Sequence, residues 1–162
     1  IGKKIAKIAK SLGMVIHYHN RSKMSHEKED GAIYHKELKS LLSVSDILSV
    51  CCPASEETKN LINKDTLEYL PKGAVVTNVA RGDIVDDEAL IDALERRKVY
   101  AVGLDVYQGE PNLNPGYLKH KSAFILPHLG SATKETRTAM ANLAIDNLEE
   151  FFKTGNCKNK VN

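Results

Sequence analysis

The chain has 162 residues, of which 42% are hydrophobic and 27% charged, with a formal net charge of +2. That length suggests one domain with an adequate core, and the composition is ordinary for a globular protein. The nearly balanced charge gives no reason to expect nucleic acid or a membrane surface as a partner, and no apolar run approaches the roughly 20 residues a spanning helix needs.

The chain opens on a predicted helix. Ile5, Ile8, Ala9 and Leu12 fall at helical spacing, and Gly13 sits where a C-cap glycine belongs. The run MVIHYH (14–19) predicts a strand, RSKMSHEKEDG (21–31) a loose loop, and AIY (32–34) a brief second strand. A helix over 36–44 carries Leu38, Leu41 and Leu42, and DILSVCC (46–52) predicts a strand ending at Pro53. Asn63 can cap a helix over 64–70. AVVTNVA (74–80) predicts the next strand, after the turn PKG. Asp86 or Asp87 can open a helix over 87–97 with Leu90, Ile91 and Leu94 as its stripe. VYAVGLDV (99–106) and AFILP (123–127) complete the strands. The longest helix runs from near Thr133 to about Lys153, where Met140, Leu143, Ala144, Asn147, Leu148 and Phe151 follow the 3.6 period; the tail after Gly155 is loose.

Several of these strands are apolar at nearly every position, as parallel strands covered on both faces are. Alternating strands and helices predict an α/β fold with a doubly wound parallel sheet. The three cysteines, Cys51, Cys52 and Cys157, read as reduced thiols of a cytoplasmic protein, the first two in a buried strand. His17 and His19 alternate along one strand, but no thiol or carboxylate is placed nearby and no CxxC or HxxxH spacing occurs, so no metal is expected.

Four stretches then line up in order: CPASEETKNLI (52–62), NVARGDIVDDEAL (78–90), GLDVYQGEP (103–111) and ILPHLGSAT (125–133). Together they resemble the nucleotide-binding domain of the D-isomer-specific 2-hydroxyacid dehydrogenase family. IHYHNRSK (16–23) and EPNLNPGYL (110–118) are similar to its glyoxylate/hydroxypyruvate reductase branch. The resemblance implies a Rossmann-type sheet lacking its first strand. Ile1 and Gly2 match only the last two positions of the family's Gly-x-Gly-x-Ile-Gly loop. The chain therefore resembles the C-terminal part of a longer enzyme, cut inside the pyrophosphate loop, with Asn162 at or near the natural end. Residues 1–132 would form the truncated nucleotide-binding domain. Residues 133–162 would form a long helix and tail packing back toward an absent substrate domain. Such a portion alone is expected to be inactive and to bind cofactor weakly.

Reducing a 2-keto acid needs a cation for its carboxylate, a hydride at C2 and a proton for the developing alkoxide. Arg81 follows an apolar strand, at the edge where open α/β sheets bind ligands, and a guanidinium grips a carboxylate with two parallel hydrogen bonds. His128 follows Pro127 at the end of another strand, and an imidazole can give and take a proton near neutral pH. Glu110 lies in a Gly-Glu-Pro turn, and a carboxylate beside an imidazole favours its charged form. By position alone Arg81 reads also as a surface turn residue, His128 as a loop histidine and Glu110 as an exposed loop glutamate. The resemblance assigns Arg81 the substrate carboxylate and C2 oxygen, and His128 and Glu110 the acid/base pair. Related formate dehydrogenases carry glutamine at the position of Glu110, so glutamate points to keto-acid reduction. Arg81-Gly82-Asp83 also imitates an integrin-binding tripeptide, which an arginine buried in a cleft would exclude.

The resemblance further implies cofactor contacts from Ile1, Gly2, Cys52, Pro53, Thr58, Val79 and Ala80, from Asp105 to the nicotinamide carboxamide, and from Gly130 and Ser131. NAD enzymes carry an acid after the second strand for the ribose hydroxyls. Here Asn20, Arg21, Ser22 and Lys23 stand there instead, and a 2′-phosphate suits two cations and a hydroxyl, so NADP(H) is preferred and NAD(H) possible. The implied partner is a small 2-keto acid, and the implied assembly a homodimer. Two alternatives stay open: a dehydrogenase for another 2-keto acid such as phosphohydroxypyruvate or pyruvate, and a non-catalytic dinucleotide-sensing protein.

Overall fold

A computed structural model of the chain describes residues 1–161, so the expectation placed on Asn162 lies outside the described residues. The chain divides into two units, Ile1–Pro127 and His128–Asn162. The first contains α1 (Gly2–Ser11), β1 (His17–Tyr18), α2 (His26–Glu29), β2 (Ile33–Tyr34), α3 (Leu38–Leu42) and β3 (Ile47–Val50). It continues with α4 (Lys64–Leu67), β4 (Ala74–Asn78), α5 (Asp87–Glu95), β5 (Val99–Leu104) and β6 (Ala123–Ile125).

Every strand pair is parallel, in the orders β1-β2 and β3-β4-β5-β6. The doubly wound order places the first strand of such a sheet between these two groups. Two separate parallel sheets are therefore what the fold leaves when that strand is not among the described residues.

Local chemistry sets most boundaries. Asn63 caps α4 through a reciprocal box with Thr66. Asp86, rather than Asp87, caps α5, its carboxylate accepting from the Ala89 N–H at 3.1 Å. Gly13 leaves α1 at φ 83°, a conformation glycine adopts without strain. The strands are shorter than their apolar runs: β1 keeps two residues of six, and Cys51 and Cys52 lie just beyond β3, half-buried. The loop expected over 21–31 contains α2.

The core lies against one face of the four-stranded sheet. Ala74, Val76 and Asn78 of β4 are buried, and α5 packs Leu90, Ala93 and Leu94 onto β5 and α4. The other face is less covered than the apolar runs suggest: Ile47, Tyr100 and Phe124 are exposed, and α1 buries nothing.

The second unit is dominated by α6 (Lys134–Thr154), 21 residues long, capped by Thr133 and closed by Gly155 in the left-handed region. None of its residues is buried, and Met140, Leu143, Leu148 and Phe151 of the apolar stripe are exposed. Among the described residues no helix is long and apolar enough to cross a membrane, and no cluster of His, Cys, Asp or Glu could hold a metal.

Candidate active site

The sheet register lines up one edge. Val50 pairs with Asn78, Asn78 with Leu104 and Leu104 with Ile125, so β3 to β6 end in one row. Ligands of open parallel sheets bind outside such a carboxyl edge. Cys52 and Pro53 follow Val50, Val79 to Arg81 follow Asn78, and Asp105 and Glu110 follow Leu104.

Asn78 shapes the turn that carries Arg81. Its side chain is 1% exposed, accepts from the Ala80 N–H at 3.0 Å and donates to the Arg81 carbonyl at 2.9 Å. The Arg81 guanidinium donates to the Ala80 carbonyl at 2.6 Å. Arg81 is exposed, against the expectation that a cleft would bury it. Gly82 is buried directly beneath the Tyr107 carbonyl, so the Arg-Gly-Asp tripeptide is not presented as a free loop. A Cβ at Gly82 would fall on that carbonyl and 2.8 Å from the Gln108 nitrogen. The missing side chain thus brings the Arg81 turn against the 107–111 turn.

The 107–111 turn carries Glu110. Its carboxylate accepts from the Tyr107 N–H at 3.1 Å, and the Asn112 N–H closes on the Gly109 carbonyl, with Gly109 at φ 73°. Asp105 donates its N–H to the Asn78 carbonyl at 3.0 Å, which seats it beside the start of the Arg81 turn. Arg81, Asp105 and Glu110 therefore occupy neighbouring turns at one edge.

Residues expected to hold a dinucleotide form two groups. Gly2 begins α1, whose N-cap Ile1 supplies no side-chain bond and whose first turn has no acid. Helix N-termini with unpaired N–H groups favour phosphate. Gly2 packs at Cys51, where a Cβ would sit 3.5 Å from the Cys51 Cβ. Thr58 folds its hydroxyl back to the Pro53 carbonyl at 2.9 Å, and Cys52 is held as a thiol by burial, which pushes its pKa up. The second group follows β1. Asn20, Arg21 and Ser22 are exposed, while Lys23 lies 3.8 Å from Glu29. The Tyr18 hydroxyl donates to Glu29 at 2.6 Å and accepts from the Met24 N–H at 3.0 Å, pinning the far end of this loop. A pyridine dinucleotide fits these features: an uncapped helix start, a glycine against the strand end, and a cationic loop without a free acid at 20–23.

His128 opens the second unit, exposed and at φ 55°. Leu129 accepts from the Ala132 N–H at 2.9 Å, and Gly130 and Ser131 lie in the turn before α6.

Residues 1–130 match the family described as D-isomer specific 2-hydroxyacid dehydrogenase, NAD binding domain. The chain belongs to that family. It is 42% identical over 154 residues to a glycerate dehydrogenase of Hyphomicrobium methylovorum, covering 94% of this chain and 48% of the relative. It is 44% identical over 165 residues to a glyoxylate reductase of Aeropyrum pernix, covering 100% and 49%. A glyoxylate reductase structure from Paecilomyes thermophila superposes with a TM-score of 0.90 at 40% identity, over 99% of this chain and 49% of that one. An NADPH-dependent glyoxylate/hydroxypyruvate reductase of Sinorhizobium meliloti, in complex with NADP and malonate, gives 0.88 at 36% identity over 94% and 47%. The chain spans about half the length of the curated relatives it matches.

Family residues alone do not build this edge. Asn78, Gly82, Asp87 and Gln108 hold its turns together and were not singled out from the sequence as site residues. Asn78 carried a legible signal, since an asparagine ending an apolar strand is a turn former. The role of Gly82 depends on Tyr107, far away in sequence, and left no local sign.

Proposed function

We propose that this chain is the nucleotide-binding half of an NADPH-dependent glyoxylate/hydroxypyruvate reductase, working as a cytoplasmic homodimer. The observation that carries this reading is the packing of Gly82 under Tyr107, which joins the Arg81 turn to the Glu110 turn at the carboxyl edge of the sheet. Arg81 grips the substrate carboxylate and polarises the C2 oxygen. Asp105 orients the nicotinamide amide, and Gly2, Val79, Ala80, Cys52, Pro53 and Thr58 line the dinucleotide's path. Arg21 and Ser22 take the 2′-phosphate, the role that favours NADPH over NADH. When bound, the reduced nicotinamide supplies the hydride to C2 of the keto acid. The resemblance gives His128 the proton donated to the C2 oxygen and Glu110 the supporting role, and the product leaves as the D-2-hydroxy acid.

The test is turnover by the full-length protein with glyoxylate and hydroxypyruvate, using NADPH and NADH in parallel. Oxidation of NADPH with either acid, lost by about a thousandfold in His128→Asn, supports the reading. Tight NADPH binding without turnover of any 2-keto acid overturns it in favour of a dinucleotide sensor.

A further inference from the structure

The Arg81 and Glu110 turns are joined a second time, by a half-buried side chain with no part in the scheme above. Gln108 lies two residues before Glu110. Its main-chain N–H donates to the Asp87 carboxylate at 3.2 Å, and its side-chain oxygen accepts from the Asp87 main-chain N–H at 3.2 Å. Its side-chain NH₂ donates to the Asn60 amide oxygen at 3.0 Å. Asn60, at φ 48°, donates its own N–H to the Asp83 carbonyl at 2.8 Å. Asp83 sits in the 3-10 turn Gly82–Ile84, directly after Arg81.

The far end of this chain of bonds is anchored in the core. Asp87 is 4% exposed, and its second oxygen accepts from the Tyr117 hydroxyl at 2.9 Å, Tyr117 being 1% exposed. Burial pushes the Asp87 carboxyl up, and the Tyr117 and Gln108 donors pull it partly back. Burying a carboxylate costs more than an apolar side chain of similar size, so stability alone is a poor reason for one here. What the network gives is geometry. It ties the loop after β3, the turn after β4 and the turn after β5 through one side chain.

We propose that Gln108, held by Asp87 and Asn60, is the positioning residue that keeps the Glu110 turn in register with the Arg81 turn. The inference rests on the functional reading above, because the spacing it fixes is that between substrate anchor and proton-donor support. Gln108 acts through Glu110 and not on the substrate itself.

A double-mutant cycle on the full-length enzyme tests this. The forms are wild type, Gln108→Ala, Glu110→Gln and the double variant, assayed with NADPH and glyoxylate or hydroxypyruvate. Displacing a reacting group slightly costs roughly ten- to a hundredfold in turnover. Gln108→Ala is expected to lose that much in kcat, with KM for the keto acid and Kd for NADPH nearly unchanged. In the Glu110→Gln background the same change is expected to cost less than about twofold, since residues acting as a unit are not additive. Should Gln108→Ala fold poorly, Asp87→Asn replaces it in the cycle. That variant keeps the acceptor for Tyr117 but can turn its NH₂ toward the Gln108 N–H. An equal loss in both backgrounds, or none in either, overturns the inference alone. A Glu110→Gln enzyme of undiminished activity overturns the functional reading, and the inference with it.

Discussion

Around Arg81 and Glu110 buried and half-buried groups set the geometry of the turns, whereas after β1 an exposed loop hangs on a two-stranded ribbon. At the first place Gly82 and Asn78 are buried: Gly82 lies directly against the Tyr107 carbonyl, and the Asn78 amide bonds the Ala80 N–H and the Arg81 carbonyl. At the second, α1 and α2 bury nothing, and the loop over 20–23 is exposed. Tyr18 and Glu29 brace only its far end. The contrast teaches a division of labour. On the proposed function, reaction chemistry tolerates little displacement, and its residues stand on turns held by buried groups. On the same proposal, discrimination between two cofactors differing by one phosphate needs only charge in the right place, which an exposed loop can supply.

The harshest way to break the comparison is to remove the rim's cation. On the proposed function Arg81→Ala deletes two charge-assisted hydrogen bonds to the substrate carboxylate, each worth about 1.5–3 kcal/mol. The full-length enzyme should lose kcat/KM for the keto acid by about a thousandfold, with NADPH affinity retained. Steady-state kinetics and a fluorescence titration check both halves. A loss in NADPH affinity instead would move Arg81 to the cofactor's side of the site.

Rigidity of the rim is tested next. In Gly82→Ala the new methyl meets the Tyr107 carbonyl, which is backbone and cannot rotate away. Overpacking of this kind costs about 3 kcal/mol. Urea denaturation should show that loss relative to wild type. An unchanged midpoint would mean that the 107–111 turn yields freely, and the contrast between the two regions would disappear.

Selectivity at the ribbon gives a smaller effect. Arg21→Ala should weaken NADPH binding about tenfold, one charge-assisted bond, and leave NADH binding alone. Isothermal titration with both cofactors reads this directly. Equal weakening of the two would place the arginine on the pyrophosphate and not on the 2′-phosphate.

What could be read in advance follows the same division. Element type came from periodicity, and caps such as Asn63 came from local chemistry, because both are decided within a few residues. The candidate rim residues stood at strand ends, so the edge itself was legible. The joints were not. Gly82 under Tyr107, Gln108 on Asp87 and on Asn60, and Asn60 on Asp83 link residues up to 48 positions apart, and no local pattern encodes them. Strand lengths were overestimated for a related reason. β1 and β3 each lack a described partner on one side, and apolar residues extend a strand only as far as pairing does.

The mildest test concerns the histidines that hold the ribbon together. Nδ1 of His17 lies 2.8 Å from Nε2 of His35, whose Nδ1 lies 2.7 Å from the Ser40 hydroxyl, while His19 bonds the His35 carbonyl at 2.9 Å. A hydrogen bond between two imidazoles needs one donor and one acceptor, so it fails when both are protonated. Burial first, then the charges of His17 and His19, push the His35 pKa below its ordinary value. The unfolded chain therefore binds this proton more readily than the folded one. Stability from the neutral pair is fully present above the ordinary histidine range and falls as pH drops through that range toward the lowered folded value. Wild type should lose slightly more thermal stability between pH 7 and pH 5 than His35→Gln, compared by melting curves at matched ionic strength. NADPH selectivity should soften over the same interval in the wild type only, because β1 carries the loop bearing Arg21. Identical pH dependence in both proteins would show that the ribbon is held by its backbone pairing.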